Sequence, residues 1–176
     1  MILPDVALTQ QLVRVSEAYL ARCRRAAETG PDGDPGWDPP EGDMVDLGWG
    51  TWHLVRFCQE TGVEEEHIAV LRRSIDGDLG GDIAFLDHPG VYDGFTPPPA
   101  LLAPAAVAET AHALTRMNLG VLLDRLPADH TEAARACGLE GFTGHPRAYL
   151  AEHFRMLRSF YATASRRGLA VVAWID

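Results

Sequence analysis

The sharpest chemical pattern in the sequence is a run of aspartates in an irregular stretch near its centre. Asp76, Asp78, Asp82 and Asp87 fall within twelve consecutive residues, which is the length of an EF-hand calcium loop. Gly80 stands where such a loop needs an oxygen ligand, and Asp87 is shorter than the glutamate that usually closes it. The pattern therefore favours an acidic turn whose aspartates bond their own backbone. Metal binding by these four aspartates is the less favoured alternative.

Two Glu-x-x-His pairs, Glu64 with His67 and Glu109 with His112, have the spacing that di-metal carboxylate bundles use. In those bundles the pairs project into the interior. The helical periodicity around Glu109 and His112 instead places both residues opposite the apolar positions. Glu64 opens a run of three glutamates at a helix start, where acidic residues interact favourably with the helix dipole. We therefore interpret both pairs as parts of solvated helix faces.

A histidine among tryptophans is the best candidate for binding chemistry. His53 directly follows Trp52 and, with Asp46 on the same predicted helix face, could act as a general base or hold a ligand. The alternative is a core histidine with satisfied ring nitrogens. The segment 92–95 offers aromatic and polar groups of the kind that line pockets, and its alternative is a turn around Gly94. The candidate ligand-binding residues are Asp46, Trp49, Trp52, His53, Tyr92, Asp93 and Phe95.

The residue types exclude several classes of enzyme. All 15 basic residues are arginine, so the chain lacks the lysine of phosphate-binding loops, of pyridoxal enzymes and of protein kinases. No serine lies in a Gly-x-Ser-x-Gly turn, and there is no HExxH motif, no Rossmann glycine fingerprint and no zinc-type cysteine spacing. The sequence thus predicts no catalytic residue and no cofactor, and it favours a protein that is not an enzyme.

Charge indicates the kind of partner. The 176 residues carry a net charge of −10, which disfavours nucleic acid and anionic membrane surfaces because both are bound through lysine and arginine. A basic protein is the partner that this charge suits. The acidic residues concentrate in two segments, 30–46 and 76–93, so we expect contacts to be made there. We expect a monomer or a weak homodimer.

The cysteines and the first residues indicate a compartment. Cys23, Cys58 and Cys137 are odd in number and widely spaced, which favours buried, reduced thiols over a disulfide framework. The first five residues have no cationic region of the kind that begins a signal peptide. A cytoplasmic location is therefore expected, with residues 1–176 forming a single domain.

Hydrophobic periodicity, together with the residues that start and stop helices, predicts an α+β protein. Strands are expected at 10–15, 83–86, 100–102 and 169–175, the last of which is a continuous apolar run. Helices are expected at 17–28, 43–60, 64–75, 104–117, 119–126, 131–137 and 147–167. Residues 30–42 contain four prolines, so they are predicted to form an irregular surface loop. Gly48 and Gly50 lie beside two tryptophans. They indicate either that another part of the protein approaches the backbone closely here or that their helix is broken.

Several segments resemble the YfbM-like bacterial family (domain of unknown function 1877). They are LVRVSEAYLARC at 12–23, QETG at 59–62, GFTPPPALLAPAAVAETAHAL at 94–114 and YLAEHFRMLRSFYATASRRGLAVVAWI at 149–175. The resemblance implies a small mixed sheet packed against several helices, with a long C-terminal helix followed by a final buried strand. It implies no reaction. The chain differs from the family pattern in its 30–42 loop and in the length of its 76–93 segment.

Together these patterns predict a non-enzymatic binding domain with an acidic surface that recognises a basic protein. The alternative is an enzyme or a small-ligand-binding protein, with a pocket between the helix of His53 and the 92–95 loop.

Overall fold

The computed structural model describes residues 8–78 and 80–176, so the N-terminal segment on which the signal-peptide argument rests lies outside it. The strands are β1 (Gln10–Val15), β2 (Met44–Asp46), β3 (Ala100–Leu102) and β4 (Ala170–Ile175). The helices are α1 (Glu17–Thr29), α2 (Gly50–Glu60), α3 (Glu65–Asp76), α4 (Pro104–Arg116), α5 (Leu119–Leu123), α6 (His130–Cys137) and α7 (Pro146–Arg166). The predicted α+β class is confirmed, as is the long C-terminal helix that leads into a final buried strand.

The four strands form one sheet in the order β2-β1-β4-β3, and every neighbouring pair is antiparallel. The expectation of a mixed sheet is therefore wrong in this detail. A helix follows β1, as in a parallel strand–helix–strand unit. The irregular loop after α1, however, brings the chain back along β1 in the opposite direction. The longest pairing joins β1 to β4, over six residues of each strand.

Two hydrophobic layers pack on the two faces of this sheet. On one face, Leu12 and Val171 pack with α2, α3, α4 and α7 around Phe154 and the fully buried Tyr161. On the other face, Val13 and Val172 pack with Leu20 of α1 and with side chains from segments 30–46 and 76–93. Successive residues of β1 and β4 point to opposite faces, so both strands have apolar side chains on each face.

The start of α2 differs from its prediction. A helix was expected from Asp43, but residues 44–46 form the edge strand β2, and α2 begins at Gly50. Gly48 has a φ of 52°, which no residue inside a helix adopts, and its N–H donates to Asp46 Oδ1 at 2.7 Å. Asp46 therefore does not share a helix with His53.

The segment 83–86 also differs, because a 3-10 turn spans Ala84–Leu86 where a strand was expected. The N–H of Leu86 donates to the carbonyl of Ile83 at 2.8 Å, and Leu86 is buried in the second layer. The 30–42 loop is irregular up to Pro40, as predicted, and its Trp37 packs edge-on against Tyr19 and Trp174.

The three cysteines are free and buried, as predicted. Burial raises the pKa of Cys58 to about 12 and that of Cys137 to about 11, so both thiols stay protonated. No helix among the described residues combines the length and the apolar character that a membrane span requires.

Candidate functional site

The net negative charge of the protein comes from two segments. Residues 30–46 and 76–93 contain eleven of the 25 acidic residues and none of the 15 arginines. The remainder of the chain has fourteen acidic residues against fifteen arginines. The net charge of −10 therefore comes entirely from these two segments.

The fold places most of the two segments over the same face of the sheet, although Val45 packs with the first layer and Asp76 ends α3. Trp37 from the first segment, and Leu86 and Tyr92 from the second, pack into the second hydrophobic layer. The segments also approach each other directly, because a methyl group added at Gly90 would lie 3.7 Å from Asp34 Oδ1. We call the surface formed by residues 30–46 and 76–93 the acidic face.

Arginines neutralise only part of the acidic face. Asp43 is bonded by Arg167 and also lies near Arg14, and the bond from Arg167 holds its pKa below the ordinary value. Asp78 accepts two bonds from the Arg73 guanidinium, at 2.6 and 2.8 Å, and Asp82 lies 3.4 Å from Arg24. Eight carboxylates of the face have no arginine partner among the described residues: Asp32, Asp34, Asp38, Glu41, Asp46, Asp76, Asp87 and Asp93.

A short turn at the end of the acidic face presents an aromatic ring to solvent. The N–H of Asp93 donates to Asp176 Oδ1, the N–H of Phe95 donates to Asp93 Oδ1, and the Thr96 hydroxyl donates to the Ile175 carbonyl, each at 2.9 Å. These bonds tie the turn to the end of β4. Phe95 is 87% exposed, which is unusual for a phenylalanine.

The sequence grouped Tyr92 with Phe95 as a ligand-binding candidate. In the structure, Tyr92 is a buried side chain that helps to hold the fold together. Its ring is buried in the second layer, and its hydroxyl donates to Asp87 at 2.6 Å. That bond raises the pKa of Tyr92 to about 12. Tyr92 therefore anchors the second acidic segment to the sheet, while Asp93 and Phe95 remain accessible.

His53 belongs to a separate cluster on the other side of the sheet. Its Nδ1 lies 3.1 Å from the Tyr149 hydroxyl, and the Tyr149 ring packs against the His153 ring with centroids 4.4 Å apart and planes tilted by 54°. The His153 ring covers Gly50, where an added methyl group would lie 2.0 Å from its Cγ. This contact is the close backbone approach that the glycines predicted.

Both imidazoles of this cluster favour the neutral form. Burial lowers the pKa of His53, and the nearby His153 and Arg56 lower it further. Burial also lowers the pKa of His153, against opposing effects of Glu152 and Asp46. A neutral imidazole next to a phenol can exchange a proton with a bound molecule, so the cluster has the groups for acid–base chemistry at neutral pH.

The residues expected on the two sides of a pocket between His53 and the 92–95 loop lie in different hydrophobic layers. Trp52, next to His53, packs against the first hydrophobic layer, whereas Tyr92 is part of the second. Trp52 donates from Nε1 to Gln10 Oε1 at 3.2 Å, and Trp49 is 40% exposed beside it. The sequence could not show that the sheet separates the two groups of candidates.

Three of the four aspartates of the calcium-like pattern interact with different partners. Asp78 binds Arg73, Asp82 lies near Arg24, and Asp87 accepts from Tyr92. Within residues 8–78 and 80–176, no three histidine, cysteine or acidic side chains converge as metal ligands would.

The two Glu-x-x-His pairs lie on neighbouring helices. His67 of α3 and His112 of α4 line one groove of about 190 Å³ with Arg116, and Glu109 accepts from Arg73 at 2.9 Å. The sequence placed these residues on solvated faces, and Glu109 and His112 are indeed exposed. It did not show that the two faces adjoin.

The site residues that sequence reasoning missed are Tyr149 and His153. They are four residues apart on a strongly periodic helix, which is a signal that they share a face. The contact of that face with Gly50 and His53 depends on how α7 crosses α2, and no local pattern encodes this crossing.

Comparison with known proteins gives one informative result. No protein-family profile and no curated protein sequence matches the chain. Among solved structures, the chain is similar to YfbM from Escherichia coli, a protein of unknown function, with a TM-score of 0.55 and 14% sequence identity. The match covers 96% of this chain and 99% of that chain. With the α+β architecture described above, this similarity shows that the chain has a YfbM-like fold.

Proposed function

We propose that the protein is a binding protein, not an enzyme, and that it recognises a basic protein through the acidic face. The observation that carries the proposal is the confinement of the whole net negative charge to two adjoining segments. A charged patch of one sign steers an oppositely charged partner and fixes its orientation.

The exposed phenylalanine supports a protein as the partner. Interfaces owe much of their binding energy to a few anchors, often aromatic, surrounded by polar groups. Phe95 is such a side chain, held in place by the bonds of its turn and flanked by Asp93 and Asp176. A basic partner with a small apolar pocket would cover it.

The family, the bacterial source and the location of the protein are part of the same proposal. We propose that the chain is a bacterial member of the YfbM-like family and that it acts in the cytoplasm. The buried, reduced cysteines are consistent with a reducing compartment. Nucleic acid and membranes are not proposed as partners, because a net charge of −10 repels their phosphate groups.

The experiment uses a defined probe, a short fluorescent peptide in which arginine alternates with leucine, with its binding followed by fluorescence anisotropy. In the test variant, Asp32, Asp38 and Glu41 become Asn, Asn and Gln. An exposed charge pair contributes about 0.2–1 kcal/mol, so we expect an affinity loss of about tenfold. Affinity should also fall as salt shortens the Debye length from about 30 Å at 0.01 M to about 3 Å at 1 M.

The matched control removes the same number of charges elsewhere. Glu60, Glu65 and Glu132 are exposed on α2, α3 and α6 and lie outside the acidic face. The triple variant with Gln at these positions should bind the peptide within about twofold of the unmodified protein, because these charges are distant from the face. Equal losses in the two triple variants would show that net charge alone attracts the peptide, and would refute recognition by this face.

A further inference from the structure

A groove of about 280 Å³ opens where the turn carrying Phe95 leads into β3. Its volume lies just below the range of about 300–1,000 Å³ typical of small-molecule sites, so it suits a single side chain. Most of its lining is apolar, with one carboxylate. The groove is lined by residues that include Trp52, Ile75, Asp76, Pro97, Pro98 and Ile175.

The walls of the groove are fixed in place. The indole N–H of Trp52 donates to Gln10 Oε1 at 3.2 Å, and Gln10 Nε2 donates to the Trp174 carbonyl at 3.0 Å. Gln10 is 1% exposed, so this chain of bonds is shielded from water. On the opposite side, Pro97 and Pro98 have ring-constrained backbones. A side chain that enters the groove therefore meets preformed walls.

Asp76 is exposed to solvent at the groove, so its carboxylate is accessible to a cation there. Its partial burial nevertheless raises its pKa above the ordinary value, with the charge of Arg72 as the opposing influence. No hydrogen bond or ion pair with another described residue satisfies its oxygens, whereas Asp78, two residues later, binds Arg73. Asp76 is also the last residue of α3, where the helix dipole disfavours a negative charge. A cation in the groove would pair with this carboxylate and offset its unfavourable interaction with the helix dipole.

We propose that this groove accepts one lysine or arginine side chain of the basic partner. The methylene stem would lie along Pro97 and Pro98, and the charged end would meet the Asp76 carboxylate beside the face of the Trp52 indole. Long cationic side chains bury their stems on apolar surfaces, and indole rings attract cations. The inference rests on the proposed function and adds to it the residue type that the partner inserts.

The first test titrates the protein with N-acetyl-arginine amide and N-acetyl-lysine amide. The readout is the NMR resonance of the Trp52 indole N–H, which the bond to Gln10 makes distinctive. We expect both amides to shift this resonance. The corresponding citrulline amide, which has nearly the shape of arginine but no charge, should leave it unchanged. Asp76→Asn should abolish the shift. Equal shifts with arginine and citrulline, or no shift at saturating amide, would overturn the proposal.

The second test measures the arginine–leucine peptide with Asp76→Asn. A charge-assisted hydrogen bond is lost, so the affinity should fall about tenfold or more. Circular dichroism and thermal unfolding would confirm that the variant is folded. If Asp76→Asn binds the peptide normally while the variant of Asp32, Asp38 and Glu41 does not, the groove is refuted and the acidic face stands. If neither variant differs from the unmodified protein, both proposals fail.

Discussion

Replacing Gly50 by alanine is predicted to destabilise the protein through a single contact, that with the His153 ring. The new Cβ would lie 2.0 Å from Cγ and 2.2 Å from Nδ1 of this ring. No rotation about a distant bond relieves such an overlap, because Cγ is the first atom beyond Cβ of His153. The imidazole must therefore leave its position and lose its contact with the Tyr149 ring.

The expected magnitude combines two opposing effects. Overpacking of this kind costs about 1–3 kcal/mol. Loss of the aromatic contact between His153 and Tyr149 costs about 0.5–1.5 kcal/mol more, which is the range of such pairs. Alanine at the start of α2 recovers up to about 1 kcal/mol of helix propensity relative to glycine. A net destabilisation of about 1–3 kcal/mol follows. For a chain of this length it corresponds to a decrease in Tm of roughly 2–12 °C.

The assay is a double-mutant cycle measured by urea and thermal unfolding. In a His153→Ala background the obstacle is absent, so Gly50→Ala should change the unfolding free energy by less than about 0.5 kcal/mol or increase it. Gly42→Ala is the matched control, because a methyl group there meets open space at a φ that alanine tolerates. Equal costs of Gly50→Ala in the two backgrounds would refute the contact between Gly50 and His153.

Three further predictions concern other parts of the molecule. Asp76→Asn should raise the unfolding free energy at pH 7 by about 0.3–1 kcal/mol, since it removes an anion from a helix C-terminus; a lower Tm would contradict this. Tyr161→Phe should cost about 1–3 kcal/mol in urea unfolding, because the buried phenol donates to the Ser74 carbonyl at 2.7 Å. The pKa values of His53 and His153 are lowered by burial in the folded protein, so the unfolded chain takes up protons first as the pH falls. Stability from these residues is complete above about pH 6.5 and is lost as the pH drops through their folded pKa values. Replacing both by Gln should flatten the pH dependence of the unfolding free energy in that window.

Elements with strong local signals were predictable from the sequence. The pattern of α7 repeats over 21 residues after a proline start, and β4 is a continuous apolar run, so both were located to within a residue or two. For α1, Ser16 directly precedes the predicted helix and is a residue type that caps helices, and its side chain accepts from the Tyr19 N–H at 3.1 Å. In each case the interactions that decide the structure lie within a few residues.

Features that depend on distant residues were not predictable. The three residues of β2 have no strand signal of their own and are ordered by pairing with β1. His53 and Tyr92 both lie beside aromatic residues, yet the sheet separates them. Asp76 looked like a metal ligand because its neighbours in sequence are acidic, but the surroundings of its side chain come from Trp52 and the prolines after Phe95. The concentration of charge in two segments was visible, although their meeting on one face required the fold.

The central claim is that a basic protein binds the acidic face and not the protein surface in general. Its most direct measurement compares the affinity of the arginine–leucine peptide for the two triple variants, which carry the same net charge. We predict an approximately tenfold loss when Asp32, Asp38 and Glu41 are neutralised, with nearly unchanged binding when Glu60, Glu65 and Glu132 are neutralised. The same loss in both variants, or in neither, would contradict the proposed function.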